Sequence, residues 1–154
     1  MNKFDDLEAF LHFWMANKPI MPPETTPIEN QTNHNGSISG CVLYRDGQYQ
    51  VQLFIVKSNS EIPPHIHPNV DSYEVYLSGD INFMCNDKWF DQNKFGSYIR
   101  VKENSYHGGK FGERGGCFLS VQKWLNGVEP TSVGENWHDK ENNKQGIAVE
   151  QQRT

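Results

Sequence analysis

No stretch of the 154 residues is a long apolar run, so a membrane-spanning helix is excluded on length alone. The N-terminus, MNKFDDLEAF, carries acidic residues where a secretory signal would place positive charge, and a cytoplasmic location is expected. Positive charge is scarce too. Fourteen Lys and Arg stand against 19 Asp and Glu, giving a net charge of -5, and no basic cluster interrupts the sequence. Without a concentrated positive face, neither nucleic acid nor an acidic membrane surface is an expected partner. Cysteine is sparse. Cys41, Cys85 and Cys117 are odd in number, widely spaced and beside apolar stretches, and no CxxC pair exists. They read as reduced thiols packed as small hydrophobes, which excludes a disulfide framework and a zinc ribbon. Internal repeats and domain boundaries are also lacking, so one domain is expected.

What is present points to β structure: 13 glycines, 12 % aromatics and several short alternating segments. The exception is the start. Phe4, Leu7, Leu11 and Trp14, widened by Phe10 and Phe13, form one stripe of an amphipathic helix over residues 3 to 17, a core or dimer face. Asp5, Asp6 and Glu8 suit the positive end of its dipole. Pro19, Pro22, Pro23 and Pro27 then predict an irregular arm to residue 36. From Ser39 to Val56 the pattern is strand, turn, strand around Asp46-Gly47, with Tyr49, Val51, Leu53 and Ile55 on a buried face and Gln48, Gln50 and Gln52 on a polar one. A strand region from Tyr73 to Phe83, interrupted at Ser78-Gly79-Asp80, leads to a hairpin turn at Asn86-Asp87. A short strand at Tyr98 to Val101 and a last one at Cys117 to Trp124 follow. The tally suggests a small barrel or double-sheet jelly roll over residues 37 to 126, between the helix and arm of residues 1 to 36 and a polar tail over residues 127 to 154.

The chemistry gathers in Glu61 to Asp80, EIPPHIHPNVDSYEVYLSGD. His65, His67 and Glu74 are donors a divalent transition metal uses, and His107 is a further candidate. A histidine pair at i and i+2 shares one face of an extended strand. Pro63, Pro64 and Pro68 exclude a helix there. Tyr76 has the parity of Glu74 and is a candidate proton donor or substrate hydrogen-bonder, while Gln122 and Arg100 are weaker candidates for substrate contact. His12 and His138 fit no ligand spacing, and His34 reads as solvated.

HIHPNVDSYEVYLSGD resembles the first motif of the cupin superfamily, a His-x-His pair, a carboxylate and a later glycine on adjacent strands of a jelly-roll barrel. VKENSYHG, from Val101 to Gly108, is similar to the second motif, where a turn returns one histidine to the cavity. The resemblance extends from Cys41 to Trp124. It implies a mainly β cupin-type double-stranded β-helix and metal ligands at His65, His67 and His107, with Glu74 as the carboxylate. Two departures stand out. The family's carboxylate falls two residues earlier, at the position of Ser72, and a shift of two keeps strand parity, favouring Glu74 over Asp71. The usual proline-glycine turn is replaced by Glu103-Asn104-Ser105, where Asn tolerates left-handed geometry.

Three imidazoles and one carboxylate leave an ion with open positions, as in catalytic sites. The expected function is a mononuclear metal-dependent enzyme acting on a small polar or aromatic metabolite. Fe(II) and dioxygenase-type chemistry are preferred over lyase or isomerase chemistry with Zn(II), Mn(II) or Ni(II). The alternative is a non-catalytic cupin that binds a sugar or metabolite. A homodimer is expected.

Overall fold

The structure is a computed structural model, and it describes residues 4–17, 32–33, 38–67, 69–125 and 127. Of the arm expected to be irregular, only Thr32 and Asn33 are described, and they pair with the start of the second strand; the rest of the arm, nearly all of the polar tail, His34 and His138 lie outside these residues. Among the described residues one helix, α1 (Leu7–Asn17), precedes eight strands: β1 (Thr32–Asn33), β2 (Ile38–Asp46), β3 (Tyr49–Val56), β4 (Glu61–His65), β5 (Val70–Cys85), β6 (Lys88–Gln92), β7 (Tyr98–Val101) and β8 (His107–Trp124).

All strand pairs are antiparallel. The order is β1-β2-β3-β8-β5-β6, with β4 on β8 and β7 on β5. Two long strands carry this arrangement. The second half of β8 lies between β3 and the first half of β5, whereas its first half lies between β4 and the second half of β5. The β5–β8 ladder therefore runs through both halves of a folded sheet. Its register shifts between Tyr76 and Ser78 and again between Gly79 and Ile81. Gly79 sits at φ +95, and a Cβ there would run into the backbone of Gly115 and Gly116. The expected interruption at Ser78-Gly79-Asp80 is thus a bend inside one 16-residue strand.

The two halves close on each other through an apolar layer. Phe54, Phe118 and Tyr76 from one half meet Ile62, Ile81, Phe83 and Phe111 from the other. Phe83 meets Phe118 edge-on at 5.2 Å between ring centroids.

A second core lies on the outside. α1 buries Leu7, Phe10, Leu11 and Trp14 against Tyr49, Val51, Val75, Leu119 and Val121. The Ala9 N–H donates to Asp6 Oδ1 at 2.8 Å, so Asp6 caps the helix. The aromatic stripe is consumed within the chain.

Two local expectations need correction. The hairpin between β2 and β3 closes at the pair Asp46 and Tyr49, so its loop is Gly47-Gln48 rather than Asp46-Gly47. And β3 has no solvated polar face. Gln50 and Gln52 are buried, at 1 % and 3 % exposure, whereas Ile55, expected inside, is 55 % exposed. The reason is that α1 covers Tyr49 and Val51 on the outer face, while the glutamine face turns into the barrel. The turn at Asn86-Asp87 forms as expected, with both residues at positive φ, 51 and 67.

Candidate metal centre

His65 is the last residue of β4 and is the Cα partner of His107, the first residue of β8. Among the described residues β4 pairs only with β8, and such an edge strand tolerates Pro63 and Pro64, whose missing N–H groups are not needed by a second neighbour. His67 follows two residues on. Its carbonyl accepts the Asn104 N–H at 2.9 Å, which ties the histidine loop to the turn before His107. Asn104 takes the left-handed conformation, φ 64, in place of the family's proline-glycine turn.

The three rings converge. Their centroids are 4.8 Å apart for His65 and His67, 4.3 Å for His65 and His107, and 5.5 Å for His67 and His107. One donor nitrogen from each lies within 4.8 Å of the others, the sole such cluster of metal-ligating side chains among the described residues. Two of the rings are oriented by the backbone. His65 Nδ1 lies 2.7 Å from Pro63 O, and His107 Nδ1 lies 2.8 Å from Ser105 O. A carbonyl only accepts, so in each ring Nδ1 carries the proton and Nε2 keeps the lone pair. This anchoring through the second nitrogen is the arrangement that metal-binding histidines show. Burial pushes His107 down to about 4, against the smaller opposing effect of the Ser105 carbonyl, so the ring is neutral at physiological pH.

Glu74 comes from the opposite half of the barrel. It sits in a ladder of inward-facing residues, paired with Ser120 on β8 and Ile99 on β7. It lines a narrow cavity with His65 and His107, walled by Ile62, Phe83, Met84, Ile99, Val101 and Phe118. The free volume is about 20 Å³, room for about one water molecule. Glu74 is buried, and its Oε2 has no hydrogen-bond partner among the described residues. Desolvation raises its carboxyl to about 7, with Ser120 pulling the other way. The carboxylate is not one of the mutually close donor atoms.

The remaining candidates lie elsewhere. Asp71, the alternative carboxylate, accepts from the Glu103 N–H at 2.7 Å and pairs with Arg100 at 3.3 Å, which accounts for both residues on the outer face. Tyr76 does not line the cavity. Its ring packs in the apolar layer and its hydroxyl donates to Gly79 O at 2.8 Å. The expected role of Tyr76 as proton donor therefore finds no support in its position. His12 is on the helix surface beside Glu8.

The buried polar ladder was the feature the sequence reading missed. Gln50, Gln122 and Ser72 form one row across β3, β8 and β5, and Gln52, Ser120 and Glu74 form the next. The signal was available: Gln48, Gln50 and Gln52 alternate as regularly as their apolar neighbours, but alternation alone does not say which face is inside.

No protein-family model matches the chain, and no curated protein matches it. Solved structures do. KdgF from Halomonas sp. matches with a TM-score of 0.57 at 10% identity over 70% of this chain and 94% of that one. An RmlC-like cupin from Shewanella frigidimarina matches with a TM-score of 0.57 at 14% identity over 70% and 91%. A protein with a double-stranded β-helix domain from Klebsiella pneumoniae matches with a TM-score of 0.53 at 17% identity over 86% and 98%. At these identities the likeness is one of fold, and the fold is the cupin double-stranded β-helix.

Proposed function

From the cupin fold and the histidine cluster, we propose that the chain is a metal-dependent enzyme acting on a small metabolite, in which His65, His67 and His107 hold a divalent transition metal and Glu74 moves a proton at the substrate. The observation that carries this reading is the convergence of three imidazoles with donor atoms within 4.8 Å, two of them oriented through Nδ1. Imidazole donors suit Zn(II), Ni(II) or Fe(II), whereas Mn(II), the other ion expected, favours oxygen donors. The ion would supply Lewis-acid polarisation of a substrate oxygen.

The carboxylate expected as a fourth ligand is reassigned. Glu74 stands apart from the close donor atoms, in an apolar slot that raises it to about 7, where a carboxyl can both give and take a proton near neutral pH. The slot admits only a group the size of a water molecule, so the bulk of a substrate would rest outside it. The proton role passes from Tyr76 to Glu74. This favours isomerase or lyase chemistry over the oxygen chemistry preferred from sequence.

Metal analysis by mass spectrometry, on protein purified without chelator, tests the reading. About one metal per chain is expected, falling at least tenfold in His65→Ala and in His107→Ala. Metal far below stoichiometry, with a small ligand still bound in the barrel, would instead support the non-catalytic cupin. Stoichiometric iron, with Glu74→Gln still turning over, would restore dioxygenase chemistry. A homodimer in the cytoplasm belongs to the same proposal. With the α1 stripe used internally, exposed Ile55, Trp89, Phe90, Phe95 and Tyr98 are, among the described residues, the large apolar side chains left for a partner, and native mass spectrometry reads the outcome.

A further inference from the structure

Gln122 is 2 % exposed and uses all four hydrogen-bonding positions of its amide. Its Oε1 accepts from Gln50 Nε2 at 3.0 Å and from the Trp124 indole Nε1 at 2.9 Å. Its Nε2 donates to Gln52 Oε1 at 2.6 Å and to Ser120 Oγ at 3.1 Å. On this account Gln122 is not a substrate contact, the role raised for it from sequence. It is a fixed part of the wall.

The direction of these bonds is also fixed. An indole nitrogen donates and never accepts, so Trp124 holds the carbonyl end of the amide toward itself. A flipped Gln122 would set N–H against N–H, leaving two buried donors facing each other. The NH₂ end must therefore face Ser120, whose oxygen is committed as an acceptor. A serine hydroxyl has one hydrogen, and with its oxygen turned to Gln122 that hydrogen is left to point away. Ser120 is the Cα partner of Glu74 on the neighbouring strand, on the same inward face. At the far end, Arg45 donates from Nε and Nη2 to Gln50 Oε1 at 2.8 and 2.6 Å. The donors thus run one way, from the Arg45 cation through Gln50 and Gln122 to Ser120. Aligned bonds of this kind polarise one another in a low-dielectric interior.

We propose that Gln122, oriented by Trp124, is a positioning residue that aims the Ser120 hydroxyl at Glu74 and so fixes the carboxyl in the cavity. The assignment rests on the reading of Glu74 as the proton-moving group. Burial accounts for the raised proton affinity of Glu74, and Ser120 opposes it, as a hydroxyl donating to the anion would.

The test is infrared difference spectroscopy of the protein as purified, at one pH, with the Glu74 band isolated by subtracting the spectrum of Glu74→Gln. In Gln122→Glu the shape is kept but the end facing Ser120 becomes an acceptor, drawing the hydroxyl hydrogen away from Glu74. The Glu74 band is expected to shift in Gln122→Glu, although Ser120 is untouched, and to shift in the same sense in Ser120→Ala. Trp124→Phe, which frees the amide to flip, is expected to give a smaller shift. A Glu74 band unmoved in Gln122→Glu overturns the proposal. If that variant does not fold, an unmoved band in Ser120→Ala does so equally. Metal content, measured on the same samples, reports separately on the histidine site. Full metal with an unmoved band refutes the positioning role alone, and a shifted band without metal refutes the metal centre alone.

Discussion

Glu74 and His107 share one cavity and have opposite responses to burial. The unfolded chain releases the Glu74 proton near 4.5, while the folded chain keeps it to about 7. Rising pH in that window therefore favours unfolding. The unfolded chain protonates His107 near 6.5, and the folded chain only near 4, so rising pH in that lower window favours folding. Between 4.5 and 6.5 the two effects oppose each other. Glu74→Gln removes one of them. In chelator-treated protein, the stability of the variant relative to the parent is expected to climb from pH 4.5 to about 7, by roughly 1 kcal/mol per pH unit. Urea unfolding of both proteins at several pH values measures this. A difference that stays constant with pH would show that Glu74 ionises as freely folded as unfolded. The histidines themselves were legible in the sequence, because HxH beside prolines allows little but an extended strand. The separation of Glu74 from the histidine cluster was not, since parity says which face a side chain takes and nothing of its distance from other side chains.

Among the elements, the bend in β5 is the most sensitive to change. Gly79 and Gly47 both hold positive φ, +95 and +59, yet differ in their surroundings. Nothing lies within 4 Å of a Cβ at Gly47, so Gly47→Ala meets only backbone strain, about 1 kcal/mol. At Gly79 a Cβ meets Gly116 Cα at 2.6 Å, where strands β5 and β8 cross from one half of the sheet to the other. Gly79→Ala is expected to cost about 3 kcal/mol or more, the strain and a displaced backbone together. Denaturant midpoints of the two variants give the comparison, and equal losses would mean that the bend yields easily. The same crossing explains what the sequence hid. The run Gly108 to Gly116 is depleted in strand formers, and the last strand is expected only from Cys117, but the run belongs to the first half of β8. Its glycines answer to close neighbours: a Cβ at Gly108 would lie 2.6 Å from Ile62 O. Hairpin turns, by contrast, are set by adjacent residues, and Asn86-Asp87 was readable for that reason.

At the scale of the whole molecule, the site draws unequally on the two halves of the barrel. All three histidines come from β4, the loop after it and the start of β8, whereas Glu74 and its polar ladder come from the half built on β3, β7 and the far ends of β5 and β8. Among the described residues β4 is an edge strand paired with β8 alone, with a register shift between Ile62 and His65. A ligand held only by the folded state stabilises it by about 2.7 kcal/mol at a hundred times its dissociation constant, but only segments that open separately gain local protection. Metal bound by the three histidines would join an edge strand to its neighbour's first residue and to the turn carrying Asn104. Hydrogen exchange is therefore expected to slow on metal addition across Glu61 to His67 and Lys102 to Gly109, with β2 and β3 unchanged under conditions where global unfolding does not limit exchange. Protection spreading equally into β3 would place an additional ligand on the opposite half, and Glu74 would then be the donor to test by substitution with glutamine.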